Sequence, residues 1–237
     1  MKELEDYSWF PSVLRNFQTD FIGFVVAKLN VYDVLVDYLK TLSLPAYPMY
    51  DLCSGSGEPA ISIFKKSNFF SQLLLSDKYP RLFLSADANI RYQPQSTDVL
   101  NLEFKNNTYY TLFNSLHHFT DAEKLKLTET IIESGATAFI VEILEPTFTC
   151  LMKVFFMTTL GSILLTPFLH PFSFKRLFFT YVFPINILTI TIDGILSVLK
   201  SRSVKQYQTL FTQHHPSMQI LRFPNGLSPL ILIQIQP

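Results

Sequence analysis

Asp51 closes a short apolar run, Tyr47 to Leu52, and is followed by Cys53-Ser54-Gly55-Ser56-Gly57-Glu58-Pro59. Gly55 and Gly57 let the main chain approach a ligand where a Cβ would collide. The loop N–H groups and the start of the next helix favour an anionic or strongly polar group. Pro59 suits a first helical position, because its missing donor would be unpaired there. The Asp51 carboxylate decides between ligands: it repels a phosphate and attracts an ammonium or sulfonium. Strand, glycine turn and helix are therefore expected around a nucleotide-type ligand that carries positive charge.

Further acids and bases recur after the apolar runs. Asp77 ends Gln72 to Ser76, twenty residues beyond Gly57, where nucleotide-binding α/β folds place a carboxylate on the ribose hydroxyls. Its plain alternative is a loop aspartate capping the turn at Pro80. Asp98 stands where a base-recognising side chain is often held, against a surface-loop role. His117, His118, Glu142, Glu145 and Asp193 are the candidates for moving a proton. Four of them have a structural alternative: a helix cap for one histidine and core packing for the other, an ion pair for Glu142, a cap for Asp193. Arg176 and Tyr181 are candidates for orienting a substrate. No metal site is expected, because two adjacent histidines are not expected to converge on one ion.

The elements that must position these groups follow from periodicity. Residues 12–42 carry apolar positions at helical spacing with a break near Asn30. Strands are expected at 47–52, 72–76, 108–113 and 136–144, the last continuously apolar but for Glu142, as a strand covered on both faces should be. Residues 81–95 predict a short helix and a poorly defined strand. Thr120-Asp121-Ala122-Glu123 opens a helix with a capping box, and Gly135 stops it. Met218–Phe223 and Leu227–Ile235 flank Pro224-Asn225-Gly226, a hairpin signal that turns the last strand antiparallel. The sum is a doubly wound α/β fold: a mostly parallel sheet with an antiparallel last strand.

Composition narrows the classes. The 237 residues suit one domain, and 19 basic against 19 acidic residues imply no broad surface for nucleic acid. Charged residues make up 16%, against roughly 25% usually, so part of the chain is unusually apolar. Cys53 and Cys150 form neither a disulfide framework nor a metal spacing and suit a reducing compartment. With no secretory pattern in the first residues, a cytoplasmic protein is expected.

These stretches together resemble the class I, Rossmann-like S-adenosylmethionine-dependent methyltransferases, nearest to a bacterial group of unassigned substrate. The resemblance is carried by Trp9-Phe10-Pro11 with Leu14-Arg15, by residues 51–59, by Ser76-Asp77-Lys78-Tyr79-Pro80 and by Phe113-Asn114-Ser115-Leu116-His117-His118-Phe119. It continues over 166–185 and Asp193-Gly194, the part specific to that group. It implies seven strands, S-adenosylmethionine as cofactor, and methyl transfer to a small acceptor. By position it puts Asp51, Cys53, Gly55 and Gly57 at the methionine end, Asp77 on the ribose, Asp98 near the adenine, and Asn114 and Ser115 beneath the sulfonium. Cys53 replaces the usual first glycine and reads as a small buried side chain, a nucleophilic thiol being the alternative. Two other functions stay open: a cofactor-binding or membrane-surface module without activity, and an NAD-binding oxidoreductase, since residues 55–60 also satisfy G-x-G-x-x-A.

The single methyltransferase domain, 1–237, divides into N-terminal helices (1–46), a cofactor-binding half (47–146), an apolar lid insertion (147–199) and a final helix with the hairpin (200–237). Within the lid, 154–169 and 177–192 are uncharged runs of 16 residues, shorter than the roughly 20 of a membrane span. Pro167, Pro171 and Pro184 are expected to break their register. A helical lid over an apolar acceptor is therefore preferred to spanning helices, with weak membrane-surface contact a lesser expectation.

Overall fold

The computed structural model describes residues 2–83, 85–211, 218–225 and 229–236. Strands β1 (Met49–Leu52), β2 (Leu73–Leu75), β3 (Ile90–Tyr92), β4 (Tyr109–Phe113), β5 (Thr137–Glu142), β6 (Gln219–Phe223) and β7 (Leu230–Ile235) form one sheet. Their spatial order is β3-β2-β1-β4-β5-β7-β6. Strands β1 to β5 are mutually parallel, and β7 runs antiparallel to both β5 and β6. The strands β4 and β7 are buried at every position, which is why they are apolar but for Thr111 and Gln234. The two strands of the expected hairpin form; its turn at Gly226 lies outside the described residues.

Helices α1 (Ser12–Lys28) and α2 (Asp33–Thr41) are separated at Asn30, which is left-handed at φ 51. α3 (Ala60–Ser67) follows the glycine loop, and α4 (Asp121–Glu133) starts in the Thr120–Glu123 capping box. On one face Leu35, Leu39 and Ile63 from α2 and α3 pack on Leu73 and Phe139. On the other, Leu127 and Ile131 of α4 join Tyr207 and Phe211 of the last helix (Val204–Phe211). The short helix expected after Pro80 is absent among the described residues. Leu82 there is exposed, so no apolar stripe is buried that would hold one turn of helix to the sheet.

The lid also departs from expectation. Pro167 falls in the final 3-10 turn, where its missing donor costs little, so one continuous helix runs over Phe148–Phe168 with a π-helical turn at Met157–Gly161. At 21 residues and mean hydropathy 1.7 it is long and apolar enough to cross a membrane, yet only 17% of its most apolar window is buried. Phe174–Val182 and Ile185–Lys200 follow, bent by 81° at the break over Phe183 and Pro184. The lid docks on α1 through Phe21, Leu169 and Ile190, and on the end of β5 through Leu144, Cys150 and Val198.

Candidate active site

The C-terminal ends of β1, β4 and β5 meet at a cluster of buried polar groups. Asp51 lies in register with Thr111 of β4, whose hydroxyl donates to Asp51 Oδ1 at 2.7 Å. Ser54 and Ser76 hydroxyls donate to the Asp51 carbonyl at 2.9 and 3.1 Å, fixing the strand end. Burial, only partly offset by the Thr111 and Ser54 hydrogen bonds, raises the Asp51 carboxyl to about 7. A bound cation would reverse that cost, since an opposite charge favours the ionised form.

The loop keeps the turn that its sequence announces. Gly55 and Gly57 have φ of 51 and 94, and Cys53 adopts φ 57 although it is not glycine. The backbone thus holds the left-handed geometry of the missing glycine, at a steric cost of roughly 1–2 kcal/mol. Burial pushes the Cys53 thiol well up, which argues against a nucleophilic thiolate. Asp77 binds the loop itself: Gly55 N–H donates to Oδ2 at 2.9 Å and Tyr79 N–H to Oδ1 at 2.8 Å. Its pKa is raised, burial outweighing those donors. Asp98 is exposed and caps the short turn at Val99–Asn101 by accepting from Leu100 N–H.

At the end of β4, Asn114 is left-handed at φ 48 and donates its N–H to Val141 O at 2.7 Å. Its Oδ1 is a buried acceptor without a protein partner. Ser115 donates to Phe113 O. Glu142, fully buried on β5, accepts from Leu116 N–H at 2.7 Å and faces His117 Nδ1 at 2.8 Å. His118 Nδ1 faces Asp6 Oδ1 at 3.0 Å. Burial alone would lower the His118 pKa, but Asp6, Glu3 and Glu5 together carry it to about 9. The expectation that adjacent histidines diverge is corrected here. The two rings lie 4.6 Å apart at 33°, and both Nε2 atoms approach the carboxylate of Glu3.

The remaining sequence candidates divide. Asp193 reaches this cluster, accepting from Leu4 N–H at 2.6 Å and Glu5 N–H at 3.2 Å, with burial raising it to about 6. Arg176 is buried in an ion pair with Asp20, which Arg81 also contacts, and it lies over the Phe17 ring. Tyr181 is half-exposed and bonds Ile163 O within the lid. Arg176 thus ties the lid to α1, and Tyr181 braces the lid internally. Glu145 pairs with Arg222.

Several site residues were not singled out in the sequence. A Cβ on Gly23 of α1 would sit 2.2 Å from Ser56 Oγ, and one on Gly55 would sit 3.1 Å from Thr19, so α1 lies directly on the glycine loop. A glycine inside an apolar helical run is the signal that marks such an approach. The 3-10 turn Leu4–Asp6 closes over the histidines; Tyr79 donates to Asp6 O, and Arg15 donates to the carbonyls of Glu5 and Tyr7. Thr111, a polar residue inside an apolar strand, was legible as the partner of a buried acid.

No protein-family model matches this chain, and no curated protein sequence does. Solved structures share its fold. Human N-acetylserotonin methyltransferase, solved in complex with SAM, superimposes at TM-score 0.51 with 17% identity over 90% of this chain and 55% of its own. The pyocyanin biosynthetic protein PhzM gives 0.51 and 12%, over 88% of this chain and 55% of its own. The chain thus spans little more than half the length of these structures. It has the Rossmann-like fold of the S-adenosylmethionine-dependent methyltransferases.

Proposed function

We propose that this chain is a class I methyltransferase that moves a methyl group from S-adenosylmethionine to a small, apolar acceptor. The observation that carries the reading is a buried carboxylate, Asp51, beside a left-handed turn at Cys53, Gly55 and Gly57 on a sheet whose strand β7 is reversed. The donor set fits the cofactor: a carboxylate for its ammonium, Gly55 and Gly57 for close main-chain approach, Asp77 for the ribose and Asp98 near the adenine. Asn114, with its orphaned buried oxygen, and Ser115 supply dipoles beneath a sulfonium. The reversed β7 speaks against NAD, since dinucleotide folds keep that strand parallel.

S-adenosylmethionine supplies an electrophilic methyl group when bound. The protein has to align donor and acceptor, exclude water and remove a proton where the acceptor needs it. His117 is the proton acceptor in this reading, with Glu142 as the positioning residue that holds Nδ1. His118, kept charged by Asp6, and Asp193 order the N-terminal cover. Arg176 and Tyr181 act on the acceptor only by fixing the lid.

The acceptor reaches the site from a membrane surface. Supporting this, the lid exposes Phe156, Leu160, Leu164, Phe168 and Phe174 together. Lys153 and Lys175 lie among them, and Asp193, the sole acid between 147 and 200, is buried. An open groove of about 540 Å³ is lined by Phe148, Met152, Lys153, Phe156 and Met157. An apolar face rimmed by cations suits an anionic bilayer. The unpaired cysteines fit a cytoplasmic leaflet.

A second reading, cofactor binding or membrane attachment without transfer, is favoured by one observation: α1 covers the glycine loop and Asp6 of the Leu4–Asp6 turn covers His118. The test is S-adenosylhomocysteine formation over a panel of phenolic, amine and lipid-like acceptors, with and without vesicles. Turnover that vesicles enhance is expected. Tight cofactor binding with no turnover on any acceptor supports the second reading.

A further inference from the structure

We propose that Glu3, His117 and His118 bind one divalent transition-metal ion of the zinc type, at a site separate from the glycine cradle. One ligand atom from each of the three residues falls within 4.8 Å of the others. His117 Nε2 lies 3.8 Å from Glu3 Oε1, and His118 Nε2 lies 3.7 Å from Glu3 Oε2. An ordinary charge-assisted hydrogen bond would close to about 2.8 Å, so these are not histidine–carboxylate bonds. Ligands about 2.0–2.1 Å from a tetrahedral zinc lie roughly 3.4 Å apart. Each histidine–Glu3 separation, made to a different carboxylate oxygen, is within a few tenths of that, and the three ligand atoms, all within 4.8 Å, would draw together on the ion.

Two further features point the same way. His117 is 2% exposed, and its Nε2 has no hydrogen-bond partner, a costly state for a buried nitrogen unless something binds there. Each histidine also has its Nδ1 against a carboxylate, Glu142 for His117 and Asp6 for His118. That arrangement fixes each ring through Nδ1 and turns Nε2 toward Glu3; on His118 the ion takes the place of the proton that the surrounding carboxylates otherwise favour. Glu5 Oε1, 3.9 Å from His118 Nε2, or water can supply a fourth ligand.

The plain account of Glu3 is a structural anchor, since Ser197 donates to Oε2 at 2.8 Å and Lys200 to Oε1 at 2.9 Å. That account leaves His117 Nε2 unexplained. Lys200 has Asp6 within 3.9 Å as another partner, so an ion at Glu3 does not strand it. The ion would tie the Leu4–Asp6 turn to the β4–α4 connection and hold the cover over the strand ends. It does not rest on the methyl-transfer reading, because it is measured without cofactor. If His117 is also the proton acceptor, ion and proton exclude one another at Nε2.

The experiment uses the full chain, stripped with a chelator and titrated with zinc chloride alone by calorimetry. Cobalt chloride is added in parallel to read the visible absorption of a four-coordinate site. One equivalent of zinc is expected, with a rise in melting temperature. Glu3→Gln and His118→Ala should each weaken binding at least tenfold and abolish the cobalt spectrum, and His170→Ala, exposed on the lid, should not. Folding of each variant is checked by circular dichroism; a variant that fails it is replaced by the melting shift that zinc gives the native chain. No zinc binding, or binding that Glu3→Gln and His118→Ala leave unaltered, overturns the proposal. So does a native chain whose melting temperature zinc leaves unchanged.

Discussion

The strand ends and the lid use burial in opposite ways. At the strand ends a set of buried polar groups is held by protein partners, Asp51 by Thr111, Ser76 by the Asp51 carbonyl, Glu142 by Leu116 N–H and His117, while Asn114 Oδ1 and His117 Nε2 are left open. The lid carries most of the chain's exposed large apolar side chains, with Phe148, Leu164, Phe174 and Val182 each more than two-thirds exposed. The first region is arranged to hold charge out of water, and the second leaves grease in contact with it. A rigid polar cradle and an apolar outer face belong to one protein when a charged donor must meet an apolar acceptor.

Removing Asp51 should break the comparison most severely. Asp51→Asn is expected to weaken S-adenosylhomocysteine binding by about 30-fold or more, since a desolvated charge-assisted contact is worth roughly 2–5 kcal/mol. The fold should survive, because an amide still accepts from Thr111; circular dichroism checks it. On the lid, Leu164→Lys places a charge on the outer face and should cut partitioning to anionic vesicles roughly tenfold, from a burial worth about 1.5–3 kcal/mol. Its melting temperature should hardly move, since Leu164 is exposed. A loss of stability there would instead mean that another part of the protein covers this face.

Gly57→Ala sharpens the cradle side. Its φ of 94 and a Cβ 2.7 Å from Ile61 Cδ1 predict a destabilisation of about 1–3 kcal/mol, read by urea unfolding. The smallest effect is in pH. Burial raises Asp51 to about 7, Glu5 to about 8 and Asp193 to about 6. An acid raised on folding binds more protons in the native state, so its contribution falls as pH rises from about 4 through the folded value. His118, carried to about 9, contributes below its usual value of 6.5 and loses that contribution as pH climbs to 9. Asp6, held low by His118 against the opposing effect of burial, runs the other way. Melting temperature should therefore decline between pH 5 and 9, and Asp51→Asn should flatten the lower part of that decline.

Much of the sheet was legible because its signals are local. Alternation of apolar runs with glycine and proline marked β1, β2, β4 and β5, and the capping box marked α4. The reversal of β7 could be inferred from Pro224-Asn225 between two strand-forming runs. Three features were not legible. The cover made by Glu3 to Tyr7 depends on contacts nearly two hundred residues apart, such as Leu4 with Asp193. Whether Arg176 meets an acceptor or Asp20 is set by how the lid docks on α1, which composition does not specify. The continuity of Phe148–Phe168 was hidden by Pro167, which breaks a helix only when it falls in the interior.

Centrally, a buried acid and a left-handed turn hold the methionine end of the cofactor, the acid facing the ammonium that S-adenosylmethionine and S-adenosylhomocysteine share. Calorimetry with S-adenosylhomocysteine and, separately, NAD tests it most directly on the native chain and on Asp51→Asn. The account predicts one site for S-adenosylhomocysteine, lost in the variant, and no heat with NAD. Binding of NAD in its place, or homocysteine-product binding that Asp51→Asn leaves intact, would contradict it.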